Sequence, residues 1–299
     1  MNGYVLATLA AIAWSSLGIW GSLAFNFGID PLLLVTLRAL IATIALLTIF
    51  ALTKGELPKL DKKGIIFFSL FGFFGVGLNY LTYFYAIKLT SVSIAVILLY
   101  TYPAIVTLTA SSLFKEKITL IKLTALLLTA TGIIFVVGVF RYSLEFKTAG
   151  IILGLIAGIT AAAHSLLTKF ALRKYSSLTI VTYGFVFGGI FLTLTLLGIN
   201  HTSIASIPTF PIKLWGIIVA LAFIPTIMGY FLYTSALNYI EVSRASIVTT
   251  LEPVAAILLA YFVLSETLTP VQIAGAGLVT VGVLLVRIRR KKVSFRGEG

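Results

Sequence analysis

Apolar runs of about 20 residues recur along the chain, each closed by a short polar interval. A helix rises 1.5 Å per residue, so a run of that length crosses a hydrocarbon core of about 30 Å. Ten such runs are legible, roughly 3–24, 31–53, 63–86, 92–113, 119–140, 149–171, 178–198, 213–236, 243–263 and 270–289. The pattern predicts an all-α polytopic membrane protein with ten transmembrane helices. Asp30-Pro31 and Thr269-Pro270 mark two helix starts, because each sets an N-cap side chain before a proline whose missing N–H is not needed there. The first run lacks the basic start of a signal peptide and has a counterpart later in the chain, so it reads as a structural helix. The longest connections, 54–63 and 199–212, are too short for an extramembrane domain.

Composition agrees with that pattern. Of 299 residues, 60% are hydrophobic and only 10% charged, with a mean hydropathy of +1.11. A soluble domain carries about a quarter charged residues. With no cysteine, disulfides and thiol chemistry are excluded, and the two histidines, His164 and His201, are too far apart to suggest a metal site. No cofactor or metal is expected.

The net charge of +13 would suggest nucleic acid in a soluble protein. In a ten-span chain it instead sorts by side. With both termini assigned to the cytoplasm, 17 of the 22 basic residues fall on that side, from Lys54, Lys59, Lys62 and Lys63 through to a basic tail at 291–299. Four fall on the other side, Lys88, Arg141, Lys147 and Lys213, and Arg38 alone lies within a span. This is the bias of the positive-inside rule. It predicts a multi-pass protein of the cytoplasmic membrane with both termini inside and no nucleic-acid partner.

The chain also repeats. Residues 86–119 and 236–269 align without a gap at an offset of 150, with 10 identities in 34, among them Pro103 with Pro253 and Glu116 with Glu266. Tyr80 and Tyr83 extend the match to Tyr230 and Tyr233, and Gly132 to Gly282. Each copy holds five spans, and five is odd, so the second copy is threaded in the opposite sense. Lys115, Lys117 and Lys122 accordingly meet Ser265, Thr267 and Gln272 in the other copy. The expected architecture is two inverted five-helix repeats, 1–148 and 149–290, followed by the tail. Inverted repeats are a signature of secondary transporters, whose substrate sites lie near the midplane.

At these residues the chain resembles the EamA-type members of the drug/metabolite transporter superfamily. The resemblance runs from Leu251-Glu252-Pro253-Val254 through Glu266-Thr267-Leu268-Thr269 to Gly282, and through its first-copy relative from Ser91 past Pro103 to Gly132. Trp14-Ser15-Ser16 and Arg38-Ala39 fit the opening stretch. The resemblance implies a ten-helix alternating-access carrier, often an exporter of amino acids or related metabolites. The superfamily also moves nucleotide sugars, sugar phosphates, nucleosides and cationic drugs, so a multidrug or cation efflux carrier stays open, as does a lipid flippase, which can share the inverted-repeat design.

Several residues are candidates for substrate binding. Glu252 is the one acid near the middle of a span, where a carboxylate costs about 2.5–3.5 kcal/mol on insertion scales. It either binds a substrate ammonium, takes up a proton that drives transport, or holds a neighbouring helix in protonated form. Arg38 either snorkels to the outer headgroups or reaches inward to an anionic group. If both face the interior, the pair suits a zwitterion. Trp14 and His164 occupy equivalent repeat positions; His164 is either hydrogen-bonded core or a proton relay. Asn79, Tyr80, Tyr83, Tyr100, Tyr183, Tyr230 and Tyr233 add polar tips on apolar bodies, those nearer mid-span being the better cavity candidates. Pro103 and Pro253 each leave a carbonyl without its helical partner, as a hinge or as a packing kink. Small residues at Ala7, Ala10, Ala11, Ala13, Ala157, Gly158, Ala161, Ala162, Gly72, Gly75 and Gly77 read as packing faces; Glu116 and Glu266 either cap the helix starts beside them or, being repeated on opposite faces, take part in gating. An intramembrane enzyme needs a dyad, metal ligands or an acidic cluster, and a channel a filter or charged ring; neither can be assembled. The expected partners are a small-molecule substrate, with proton coupling through Glu252, and the lipid bilayer, with the chain acting as a monomer.

Overall fold

The computed structural model describes residues 2–54, 58–90, 92–138, 148–264 and 267–287. Among them there are helices and turns but no strands. Ten helical spans are long and apolar enough to cross a membrane: Gly3–Phe25, Pro31–Thr53, Lys62–Ile87, Ile94–Leu113, Leu120–Val137, Thr148–Ala171, Ser177–Ile199, Ile212–Ala236, Val242–Phe262 and Pro270–Arg287. They are called spans one to ten below. The expected positions agree to within a few residues. Span five stops early, because Gly138 takes the left-handed conformation that closes a helix (φ 67°). The basic tail, Arg141, Lys147 and Glu266 lie outside the described residues.

Most spans begin on a local cap. Asp30 Oδ1 accepts the Leu33 N–H at 3.0 Å, Asp61 Oδ1 that of Gly64 at 2.9 Å, and Thr119 Oγ1 that of Lys122 at 3.3 Å. Thr269 and Gln272 form a reciprocal capping box, at 3.3 and 3.0 Å. The Gly64 hydrogen bond, with the Lys174 ammonium nearby, holds the Asp61 carboxyl below the usual range.

Five spans depart from regular α-helix, and four of the departures recur about 150 residues apart. Span three contains a π-helical stretch at Phe73–Leu78, and span eight one at Ala222–Met228. Pro225 sits inside the second stretch, and the Thr226 hydroxyl donates to Leu221 O at 2.8 Å. Span four breaks between Leu99 and Tyr102, and span nine between Val248 and Leu251. Span one breaks at Ser16, where Ser15 and Ser16 hydroxyls turn back to Ile12 O and Ala13 O, both at 2.7 Å. At each of the paired breaks a threonine hydroxyl satisfies a backbone carbonyl: Thr101 to Leu98 O at 2.7 Å, Thr250 to Ile247 O at 2.6 Å. The prolines therefore stand in the first turn of a new half-helix, where the missing N–H costs little. The Thr249 carbonyl, expected to lose its partner to Pro253, accepts the Glu252 N–H at 3.0 Å instead.

Spans two and seven pack on each other, as do five and ten. The second pair meets backbone to backbone. A Cβ on Gly132 would stand 2.7 Å from Gly275 O, and one on Gly275 2.7 Å from Gly132 O. Gly158 of span six presses in the same way on the break of span four, with a Cβ there only 2.5 Å from Thr101 Oγ1.

The capping role expected for Glu116 is corrected. Thr119 caps the adjacent span itself, and Glu116 reaches across the molecule. Its carboxylate accepts the Val242 N–H at 2.8 Å, the Ser243 N–H at 3.2 Å, and the Ser243 hydroxyl. Lys122, counted from sequence among the basic residues of the cytoplasmic side, is only 2% exposed and lies 3.6 Å from Glu116 and 3.0 Å from Glu241.

Gly132→Leu is expected to force spans five and ten apart and to lower the thermal midpoint of the detergent-solubilised protein, through an overpacking cost of about 1–3 kcal/mol. Gly277→Ala, in the same span as Gly275 but with nothing within 4 Å of its Cβ, is expected to leave the midpoint unchanged or slightly raised. Equal midpoints for the two variants would contradict the close backbone contact.

Candidate functional site

A cavity of about 130 Å³ lies among spans one, two, three, four, six, eight and nine. Its walls are mainly aromatic. Trp14, Tyr80, Tyr83, Tyr100, Tyr230 and Tyr233, all singled out from sequence, line it together with His164 and Asn79. Arg38 and Glu252 line it as well. Ten separate sequence positions thus converge on one space. Tyr183 does not join them; its hydroxyl donates to Pro58 O at 2.7 Å near a span end. Pro103 and Pro253 stand beside the cavity's helix breaks and not in its lining.

The π-helical stretches end immediately before the polar cavity residues. Asn79 follows one, and Gly229-Tyr230 the other. Tyr80 and Tyr230, equivalent at the offset of 150, meet through their hydroxyls at 3.2 Å. Trp14 stands edge-on to Tyr230 at 5.2 Å between ring centroids and tilted over Tyr233 at 5.3 Å. Backbone without side chain makes room for the large rings. A Cβ on Gly229 would fall 2.5 Å from Trp14 Nε1, and one on Gly75 3.0 Å from His164 Nδ1. His164 packs between Phe71 and Tyr230, both at 5.0 Å. Asn79 spends its amide N–H groups on span six, at Ala157 O (2.9 Å) and Thr160 Oγ1 (3.1 Å).

Arg38 points inward rather than snorkelling. It is 3% exposed, and its guanidinium carbon lies 4.4 Å from the centroid of the Tyr80 ring, a cation–π distance. Its Nε has no hydrogen-bond partner. Among the described residues no carboxylate forms an ion pair with Arg38, and no base forms one with Glu252. Glu252 occupies the first turn of the half-helix Leu251–Leu264, opposite the Tyr100 and Tyr102 side of span four. The cavity therefore holds one cationic and one acidic side chain that the protein does not pair with each other.

Several lining residues escaped the sequence reading: Leu17, Phe84 and Leu99 as anonymous apolar residues, and Tyr102, Ser165 and Pro225. Tyr102 had a usable signal, since it stands at the repeat position of Glu252. Its hydroxyl reaches the break in span nine, bonding to Thr249 and, at 3.3 Å, to Ser246 O. Pro225 had one too, as a proline inside an apolar run. Among the described residues no cluster of His, Asp and Glu could hold a metal ion.

A solved crystal structure shares this fold, with a TM-score of 0.80 over 95% of this chain and 97% of the other, at 17% sequence identity. An uncharacterized transporter of Archaeoglobus fulgidus is 29% identical, covering 87% of this chain and 88% of the relative. The uncharacterized transporter YetK of Bacillus subtilis is 28% identical, over 98% of this chain and 88% of its own length. The model of the EamA-like transporter family matches twice, at residues 1–138 and 148–288. The chain belongs to the EamA-like transporter family, and is a multi-pass membrane transporter acting on a small molecule in the lipid bilayer.

Proposed function

We propose that this transporter is a secondary active carrier that exports an amino acid or a related small metabolite across the cytoplasmic membrane by alternating access. The observation that carries the reading is the unpaired charge in the cavity. Holding Arg38 and Glu252 at membrane depth costs several kcal/mol, and an ion pair between them would recover part of it. They are held apart instead. A ligand with a carboxylate for the Arg38 guanidinium and an ammonium for Glu252 supplies both missing partners. The aromatic walls then receive the apolar remainder. A cavity of 150 Å³ holds a benzene ring, so about 130 Å³ suits a small metabolite better than a lipid headgroup with its chains.

The halves 1–148 and 149–290 act as two oppositely threaded repeats. Support comes from the π-helical stretches and span breaks that recur at the offset of 150, and from the contact between the equivalent Tyr80 and Tyr230. Two interchangeable halves around one midplane site allow rocking between two faces. The prolines beside the breaks, Pro103 and Pro253, serve as hinges. The charge bias of the connections supports an orientation with both termini in the cytoplasm. A monomer contains the whole cavity, and proton coupling follows if Glu252 exchanges a proton for the substrate ammonium. A second reading, efflux of organic cations, is favoured by the aromatic walls around Glu252, and Arg38 weighs against it.

Counterflow of labelled amino acids into proteoliposomes tests the reading. Arg38→Lys keeps the charge and loses the planar fork, so the apparent KM should rise about tenfold or more with folding intact. An unaltered KM would remove the carboxylate from Arg38, and uptake of organic cations alone would favour the second reading.

Glu252→Gln keeps the shape and removes the ionisable group. Its transport rate is expected to fall about tenfold or more and to lose its pH dependence between pH 5 and 8. A wild-type rate and profile in this variant would leave Glu252 a purely structural role.

A further inference from the structure

We propose that Glu116 is the latch that keeps the cavity closed at the end of the molecule carrying the N-terminus. The inference rests on the alternating-access reading and assigns the contact that must break when that end opens.

The network around Glu116 is built from span ends on one side. Tyr4 begins span one, Lys122 span five and Val242 span nine, while Val286 ends span ten. Arg244 Nη1 donates to Tyr4 Oη at 3.0 Å and to Val286 O at 2.6 Å, and its Nε donates to Glu241 at 2.8 Å. Lys122 then joins Glu241 to Glu116. Burial pushes the Glu241 carboxyl up, but Arg244 and Lys122 outweigh it and hold the group below the usual range, as a charged link. A chain of charge thus links spans five and nine, and Arg244 extends it by hydrogen bonds to spans one and ten. Directly beneath the cavity, Leu6, Val106, Val242 and Val248 pack with Tyr102 and Tyr233 in one buried cluster. The cavity itself extends the other way. Phe84 lies within a turn of the far end of span three, and Arg38 about two turns from the far end of span two.

The capping pattern singles out Glu116 within this network. Asp30, Asp61, Thr119, Ser176 and Thr269 each cap the helix that follows them in the chain. Such a cap travels with its own helix whatever the helix does. Span nine makes no side-chain cap of its own, since Glu241 stands at the N-cap without that bond. Its first two N–H groups are satisfied by a carboxylate from the connection between spans four and five. That cap exists only while the two elements are in register. Separation costs two N–H partners and a hydroxyl partner at once, a gap large enough to hold one state over the other. Glu116 is buried and bonded only in the closed arrangement, so its removal biases the equilibrium between the two faces.

The chain has no cysteine, which makes the test clean. Ala161→Cys places one thiol on the cavity wall, and a membrane-impermeant maleimide is applied to either face of oriented membrane vesicles. Added to this background, Glu116→Gln is expected to raise labelling from the face bearing the termini by about tenfold and to lower labelling from the opposite face. Ser243→Ala, which removes one donor and leaves both N–H groups bonded, should shift labelling the same way by about threefold and covers the case in which the first variant does not fold. A static cap would lower thermal stability without changing the balance between faces; unchanged labelling ratios in the folded variants would overturn the latch. Counterflow of labelled amino acids by the wild-type protein in the same vesicles separates the two levels. Counterflow with no shift in labelling overturns the latch alone, whereas absence of any counterflow removes the alternating-access reading and the latch with it.

Discussion

Inside a hydrocarbon core there is no water to accept a backbone N–H or to donate to a carbonyl, and each unsatisfied group costs several kcal/mol. This obligation shapes the transporter more than any side-chain contact. It forces each crossing segment to be helical, and it confines irregular backbone to places where something else supplies the hydrogen bond. The breaks in spans four and nine obey it through Thr101 and Thr250, whose hydroxyls turn back to carbonyls of the preceding turn. The π-helical stretches obey it by lengthening the hydrogen-bonded ring, and span eight adds Thr226 beside Pro225. Short π-helical stretches are frequent at functional sites. Here both lead directly into cavity residues.

Those irregularities create the cavity. A straight helix at span three or eight would carry the same tyrosines on a different bearing. The shift in winding aims Tyr80 and Tyr230 at each other, and glycines at 75 and 229 leave room for His164 and Trp14. Arg38 and Glu252 then occupy a space whose walls offer rings and few counter-charges. Desolvated charge without a partner is expensive, and in a transporter the natural means of offsetting it is a ligand that is bound only part of the time. The same economy appears at the end carrying the N-terminus, where Glu116, Lys122, Glu241 and Arg244 pair with one another. Open charge in the cavity and closed charge at the end are two uses of one scarce resource, in a chain with only 10% charged residues.

Much of this was legible in the residues, and the reasons differ from case to case. The spans were readable because hydrophobic length has a fixed meaning against a bilayer. Tyr80, Tyr230, Trp14 and His164 could be grouped because the repeat set them at equivalent positions. Arg38 and Glu252 stood out because charge within an apolar run is costly and so rarely accidental. Leu17, Phe84 and Leu99 were not legible, since an apolar residue in an apolar run carries no sign of which way it faces. Glu116 was read as a local cap because sequence shows neighbours along the chain; its partners, Val242 and Ser243, are about 126 residues away.

By itself the sequence determined the number of helices, the offset of 150 between the two copies, and the two charges that membrane depth makes conspicuous. Each of these depends on a one-dimensional quantity: the length of an apolar run, a register, or a charge out of place. Only the tertiary structure decided that Arg38 faces inward, that Asn79 is spent on span six, and that Glu116 holds span nine rather than span five. Those outcomes depend on the rotation of each helix about its axis and on which helices come into contact. In lipid, where no exposed face is wet, hydrophobic periodicity gives little guide to rotation, and packing between helices sets it.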